Sequence, residues 1–158
     1  MRAEFDVKMT TGKMYDYMLR HTFTSFAGVV GELLGLVLVA GFFVTGQWLY
    51  LLCGVICVFY QPVALYFGSK RQVSSNAAFK EPLHYVLDDN GITVTAGEAT
   101  DSMTWDKMYK AVSTTRSVIV YTTRINACIF PKEDMGSVKD DVIRIISTHM
   151  DPKQVNIR

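Results

Sequence analysis

Residues 23–67, FTSFAGVVGELLGLVLVAGFFVTGQWLYLLCGVICVFYQPVALYF, restrict what this chain can fold into more than any other stretch. They contain one carboxylate, Glu32, and no Lys, Arg or Asp. A helix crossing a bilayer needs about 20 predominantly apolar residues, and the run is long enough for two. Thr45-Gly46-Gln47 breaks it in the middle. The pattern predicts a transmembrane hairpin with spans at residues 23–44 and 48–67. A single tilted anchor would need extreme tilt to take up the whole run.

The charges on either side set an orientation. Arg2, Lys8, Lys13 and Arg20 precede the first span, Lys70, Arg71 and Lys80 follow the second, and the connecting turn carries none. Basic residues accumulate on the cytoplasmic side of membrane proteins. The expected localisation is therefore the plasma membrane, multi-pass, with both termini in the cytoplasm. The N-terminal segment MRAEFDVKMTTGKMYDYMLRH is too polar and too long to read as a cleavable signal peptide. Cys53, Cys57 and Cys128 form no disulfide framework, which suits a reducing compartment. Cys53 and Cys57 read as small hydrophobes within the second span.

Several residues in and around the spans are candidates for membrane packing or assembly. Ala27, Gly31 and Gly35 recur every four residues and place small side chains in one row, which lets helix backbones approach closely in lipid. Glu32 falls deep in the first span, where an ionisable group is expensive and marks a functional hypothesis. Its plain role is a protonated or hydrogen-bonded Glu facing Gln61 or a neighbouring subunit. Gln61-Pro62 lies near the far end of the second span, where Pro is tolerated in a membrane helix. Trp48, Tyr50 and Tyr66 suit the two interfaces as aromatic belts, with Arg20, Lys70 and Arg71 as basic anchors.

The rest of the chain is ordinarily polar, with a formal net charge of +1. Nothing global points to nucleic acid. Residues 1–12 contain an alternating strand, 4–10, with Phe5, Val7 and Met9 on one face. A strand this short must join a sheet formed later. Residues 13–68 are then a helical arm, capped by Thr11 and running straight into the hairpin, and 69–80 a juxtamembrane linker. In 81–151, strands are expected at 83–87, 92–95, 102–105, 110–115, 118–122 and 126–130, in an antiparallel meander. Asn90-Gly91 marks its first hairpin turn. Met135, Val138, Val142, Ile145, Ile146 and His149 recur at helical spacing, with Ser137 and Asp140 resembling a capping box. Residues 152–158 read as a frayed polar tail. The fold class is an α+β membrane protein, with a two-helix hairpin inserted near the N-terminus of a small antiparallel sheet domain capped by a C-terminal helix.

A bent antiparallel sheet plugged by one C-terminal helix resembles the pleckstrin-homology (PH) architecture. The order of YVLDDNGI at 85–92, MTWDKM at 103–108, Tyr121 and IFPK at 129–132 before a helix is similar to the YcxB-like protein family of bacteria. That resemblance implies a two-span hairpin inserted near the start of a PH-like domain displayed in the cytoplasm, with no established catalytic activity. Met108 departs from the β-branched or Leu residue expected after the Trp, which bears on packing alone. Asn90, Gly91, Trp105 and Pro131 are structural candidates. Trp105 reads as a core or rim residue, Pro131 as the stop between the last strand and the helix, and Lys132 as a solvated cation.

No catalytic constellation is legible. His21, His84 and His149 are far apart and lack partners at metal-ligand spacing. No nucleophile elbow or phosphate-cradling glycine loop occurs. No catalytic residue, cofactor, metal or small-molecule substrate is expected. The expected partners are the lipid bilayer and a protein, reached by the domain or by self-association through the hairpin. Two functions fit: a non-enzymatic membrane-anchored interaction module that binds a protein segment or lipid headgroup, or a small regulatory or assembly subunit of a membrane transporter or other membrane complex.

Overall fold

The structure is a computed structural model that describes residues 1–157; Arg158, the end of the expected tail, lies outside the described residues. It is α+β, with helices placed between the first and second strands of a sheet. Strand β1 (Ala3–Val7) is followed by helices α1 (Thr11–Phe23), α2 (Phe26–Thr45) and α3 (Trp48–Ser75). Strands β2 (Leu83–Leu87), β3 (Gly91–Ala96), β4 (Ala99–Thr104), β5 (Lys110–Ser113), β6 (Ser117–Tyr121) and β7 (Ala127–Pro131) come next. Helices α4 (Lys132–Met135) and α5 (Lys139–His149) and strand β8 (Val155–Asn156) complete the chain.

The strands form two four-stranded sheets, β1-β2-β3-β4 and β7-β6-β5-β8, not one continuous meander. The chain leaves the first sheet through a 3₁₀ turn at Trp105–Lys107. Every pairing is antiparallel except β5 with β8. β1 finds its partner across the helical insertion, in register from Ala3 opposite Leu87 to Val7 opposite Leu83. Its alternation buries Ala3, Phe5 and Val7. Met9 is also buried, although it lies past the strand's end.

The core lies between the sheets and α5. Phe130 of β7 is fully buried and meets Phe5 edge-on at 5.4 Å and Tyr85 at 4.9 Å. Val142, Ile145 and Ile146 of α5 enter the same core, as do Met14 of α1 and Met135 of α4. All five residues of β6 are buried. β6 is paired on both edges by β5 and β7, and α1 lies against it. A strand covered in this way reads as a continuous apolar run, SVIVY, instead of an alternation.

Several local expectations are corrected. α1 does not run on into the first apolar helix: it ends at Phe23, and Ser25 starts α2 afresh by accepting a hydrogen bond from the Gly28 amide at 3.1 Å. A Cβ at Gly28 would collide with the carbonyl of Thr22, so this position demands glycine. The α1 cap is Thr10, not Thr11; its Oγ1 accepts from the Lys13 amide at 3.4 Å. α3 continues well past Phe67, so the expected juxtamembrane linker is helical as far as Ser75. The C-terminal helix is split: Gly136 has φ 49°, a left-handed value that closes α4, and Val138 precedes α5 with no side-chain cap, so Ser137 and Asp140 form no capping box. The tail does not fray through its whole length. Residues 155–156 pair with β5, and the Ala111 amide donates to the Gln154 carbonyl at 2.8 Å.

The Asn90-Gly91 turn is present, for a different reason than the one its dipeptide suggests. Neither residue has positive φ. Asp88 Oδ1 accepts from the amides of Asn90 at 2.8 Å and Gly91 at 3.1 Å, so an aspartate side chain holds the turn. Gly91 is required because a Cβ there would collide with the Met103 carbonyl on β4. Gly91→Ala is expected to cost at least about 1–3 kcal/mol, the usual penalty of overpacking. The shift of the denaturant midpoint against wild type measures it.

Candidate functional site

Two regions gather the residues that could act on a partner: the α2–α3 hairpin and the end of α1 where it meets β5, β6 and β8. In the hairpin, close approach of the helices centres on Gly35 and Gly54. A Cβ at Gly35 would lie 2.8 Å from Val58 Cγ2, and one at Gly54 would lie 2.8 Å from the Val39 amide nitrogen and 2.9 Å from the Gly35 carbonyl. Gly31 faces Gln61, whose side chain would be 3.9 Å from an added Cβ. Ala27 is exposed and takes no part in this seam; its neighbour Gly28 does the close packing, against α1. Gly54 escaped the sequence reading because a lone glycine between Cys53 and Val55 forms no row of its own.

Glu32 and Gln61 are the polar residues of the hairpin interior. Glu32 Oε1 and Gln61 Oε1 are each buried with no hydrogen-bond partner among the described residues. Unpaired buried polar atoms cost free energy, so each oxygen is a place where a water or a partner's donor would be stabilising. The outer surface of the hairpin is apolar and uncovered: Phe26 and Val44 are each 87% exposed. Both helices are long and apolar enough to span a membrane. Trp48 and Tyr50 are exposed at the start of α3, and Lys70 and Arg71 are exposed near its far end. Tyr66 packs edge-on against Tyr15 of α1 at 5.7 Å. Buried Ser69 lies 3.1 Å from Met18 Sδ, so α1 is fastened to α3.

The second region was hidden in the sequence because its members lie about a hundred residues apart. Tyr121 at the end of β6 is flanked by Tyr17 and His21 of α1, at 6.0 and 6.1 Å between ring centres. Tyr17 donates its hydroxyl to the Ile125 carbonyl at 2.7 Å. The Lys110 ammonium stands 4.8 Å over the Tyr121 ring, a cation–π geometry. Burial pushes the Tyr121 hydroxyl up to about 12, the neighbouring Tyr17 adds to this, and Arg20 opposes it. Arg20, expected as a basic anchor, is thus part of a cluster with Tyr17, Lys110 and Tyr121.

The remaining candidates have structural partners. Trp105 is buried, donates Nε1 to the Asp88 carbonyl at 2.9 Å, and stacks on His149 at 5.5 Å. His149 Nδ1 lies 2.9 Å from the Ile145 carbonyl and Nε2 lies 3.4 Å from Asp89. His84 faces Asp6 across β1 and β2 at 2.7 Å. Lys132 is not simply solvated: its Nζ donates to the Thr114 carbonyl at 2.7 Å. Pro131 ends β7 and leads into α4, as the sequence suggests. Among the described residues, no group of three or more His, Cys, Asp or Glu could hold a metal ion.

Burial also raises the Cys128 thiol from 9.0 to about 12. Both Cys128 and Tyr121 therefore stay neutral in the fold at pH values where the unfolded chain ionises. A group with a raised folded pKa contributes stability below its unfolded pKa and loses it as pH rises through the folded value. Stability is expected to hold below about pH 9 and to fall between there and about pH 12. Denaturant midpoints across this range test it. Cys128→Ala should move the onset up to the tyrosine window, which begins near 10.

No curated protein and no solved structure matches the chain. One family model does match, over β3 to β7 and all but the last turn of α5, stopping short of the apolar helices. It is the model of the family that the sequence itself resembles: residues 87–146 match the YcxB-like protein family, and over that segment the chain is YcxB-like.

Proposed function

We propose that the chain is a non-enzymatic, membrane-anchored interaction module. α2 and α3 cross the plasma membrane as a hairpin, both termini lie in the cytoplasm, and a PH-like domain displayed there binds a protein segment or lipid headgroup. The observation that carries this reading is the bare apolar surface of α2 and α3, joined at both ends to a domain with its own packed core. Contiguous apolar surface on this scale is costly in water and stable in lipid. The PH-like reading is supported by the order of elements: a four-stranded antiparallel sheet, a second sheet, and one amphipathic helix that closes the core.

Cysteine labelling tests the topology. In a chain freed of its native cysteines, Gly46→Cys should react with a membrane-impermeant maleimide added to intact cells, and Lys153→Cys should react after lysis alone. Recovery of the full chain in the soluble fraction, or the reverse labelling pattern, would falsify the anchored reading. In-cell crosslinking of the full chain, followed by detergent pull-down, tests the interaction role, and recovery of no reproducible partner counts against it.

A second reading, a regulatory or assembly subunit acting through the hairpin, is favoured by the unpartnered oxygens of Glu32 and Gln61. In that case Glu32→Gln would abolish co-purification of a membrane partner, and changes on the domain surface would not.

A further inference from the structure

We propose that the groove lined by Arg20, Tyr109, Lys110, Lys153, Gln154 and Asn156 binds the phosphate of an anionic phospholipid headgroup. The inference rests on the membrane-anchored reading and deepens it by naming the ligand and the place. The groove has a volume of about 480 Å³, within the range of small-molecule sites. Three of its side chains are cations, and no acid lines it. Among the described residues none of the three is in an ion pair. The nearest acid on α1, Asp16, is engaged by the Thr114 hydroxyl at 2.7 Å. Asp151 Oδ1 accepts from the Lys153 backbone amide at 2.8 Å.

The cations are held in place by the fold. Lys110 lies opposite Tyr121 in the β5–β6 register, with its ammonium over that ring. Arg20 is in the last turn of α1 and acts electrostatically on the same tyrosine. The backbone at Lys153 is set by the turn that delivers β8 to β5, where the Gln154 amide donates to the Asp151 carbonyl at 2.8 Å, and its side chain is exposed. Each cation keeps donors available for a phosphate oxygen. The position suits a lipid. Arg20, on the groove, is six residues from Phe26, the first and largely bare residue of α2, so the chain ties one wall of the groove closely to the apolar helices. Tyr109, 47% exposed on the groove, is an aromatic of the kind that settles among headgroups.

Lipid retention by the full chain, purified in detergent and followed by native mass spectrometry, tests this. Wild type should retain phosphatidylglycerol in preference to phosphatidylcholine, and rising salt should weaken retention, because exposed charges are screened. The triple variant Arg20→Gln, Lys110→Gln, Lys153→Gln should bind phosphatidylglycerol on the order of 100-fold more weakly. Lys107→Gln with Arg144→Gln, two exposed cations outside the groove, should retain the preference. Should the triple variant fail to fold, Lys153→Gln alone, at an exposed side chain, should still lower retention severalfold. Equal retention by wild type and by the groove variants overturns the proposal. So does displacement of the lipid by inorganic phosphate, which would make the groove a site for a soluble anion. A wild-type chain that fractionates with membranes yet shows no headgroup preference refutes the groove alone. A chain found in the soluble fraction refutes the anchored reading beneath it.

Discussion

Phe130→Ala is expected to remove about 3–5 kcal/mol of domain stability, the usual cost of truncating a fully buried phenylalanine. Small domains are stable by about 5–15 kcal/mol in total, so this single change takes a third or more. The reason is position as well as volume. The Phe130 ring lies on β7 in one sheet and touches Phe5 and Tyr85, on β1 and β2 of the other. Its removal opens a cavity where the two sheets meet, and it strips β1 of a contact in the same stroke. Phe5→Ala should have a smaller effect on the domain but a larger one on β1 itself, which has an edge position and five residues. Hydrogen exchange would separate the two: Phe130→Ala lowers protection in both sheets, and Phe5→Ala lowers it chiefly in β1. Uniform loss in both variants would mean that β1 and the rest of the domain open as one unit.

Gly54→Leu is expected to force α2 and α3 apart. The added side chain would meet the Val39 amide nitrogen and the Gly35 carbonyl, both backbone atoms of the facing helix, which cannot turn aside. Gly35→Leu should act in the same way from the other side. Gly31→Leu should be much milder, since the nearest group is the flexible end of Gln61. Thermal melting of the full chain in detergent checks the ranking, with Gly54→Leu lowest and Gly31→Leu near wild type. If Gly31→Leu melts with Gly54→Leu, the helices cross closer to Gly31 than the geometry describes. The comparison also bears on assembly. A partner that reads the small-residue row would be lost with Gly31→Leu even though the hairpin itself survives.

Much of this protein is legible from local pattern. Two apolar runs broken at Thr45-Gly46-Gln47 give α2 and α3, with Gly46 in the left-handed conformation as C-cap. Alternation in the first residues gives β1, and DDNG gives the β2–β3 turn. The 3.6-residue period gives α5. These signals are short-range: each depends on residues within a few positions of one another. Most of what escaped depends on distant partners. The break between α1 and α2 is local by contrast: Ser25 caps α2 and Gly28 packs against Thr22, and the mixed polarity of Arg20-His21-Thr22-Phe23-Thr24-Ser25 does not by itself locate it to a residue. β8 is two residues long and exists because β5 offers it a free edge. Ala27 was grouped with Gly31 and Gly35 by spacing, yet the rotation of α2 against α3 puts Gly35 inside and Ala27 outside. Spacing defines a row on a helix, and only the facing helix decides which part of it is used.

The sequence by itself determined the α+β composition, the paired apolar helices inserted after one strand, and the YcxB-like segment, because hydrophobic period and turn chemistry are written locally. The tertiary structure decided which glycines touch, that Glu32 and Gln61 carry buried oxygens without a partner among the described residues, and that Arg20 joins Lys110 and Lys153 around one groove. Those three cations are separated by about ninety and forty residues in the chain. They meet only because α1 lies against β6, the register sets Lys110 opposite Tyr121, and β8 closes the sheet edge beside them. A surface built from such contacts has no local signature, and folding alone brings it together.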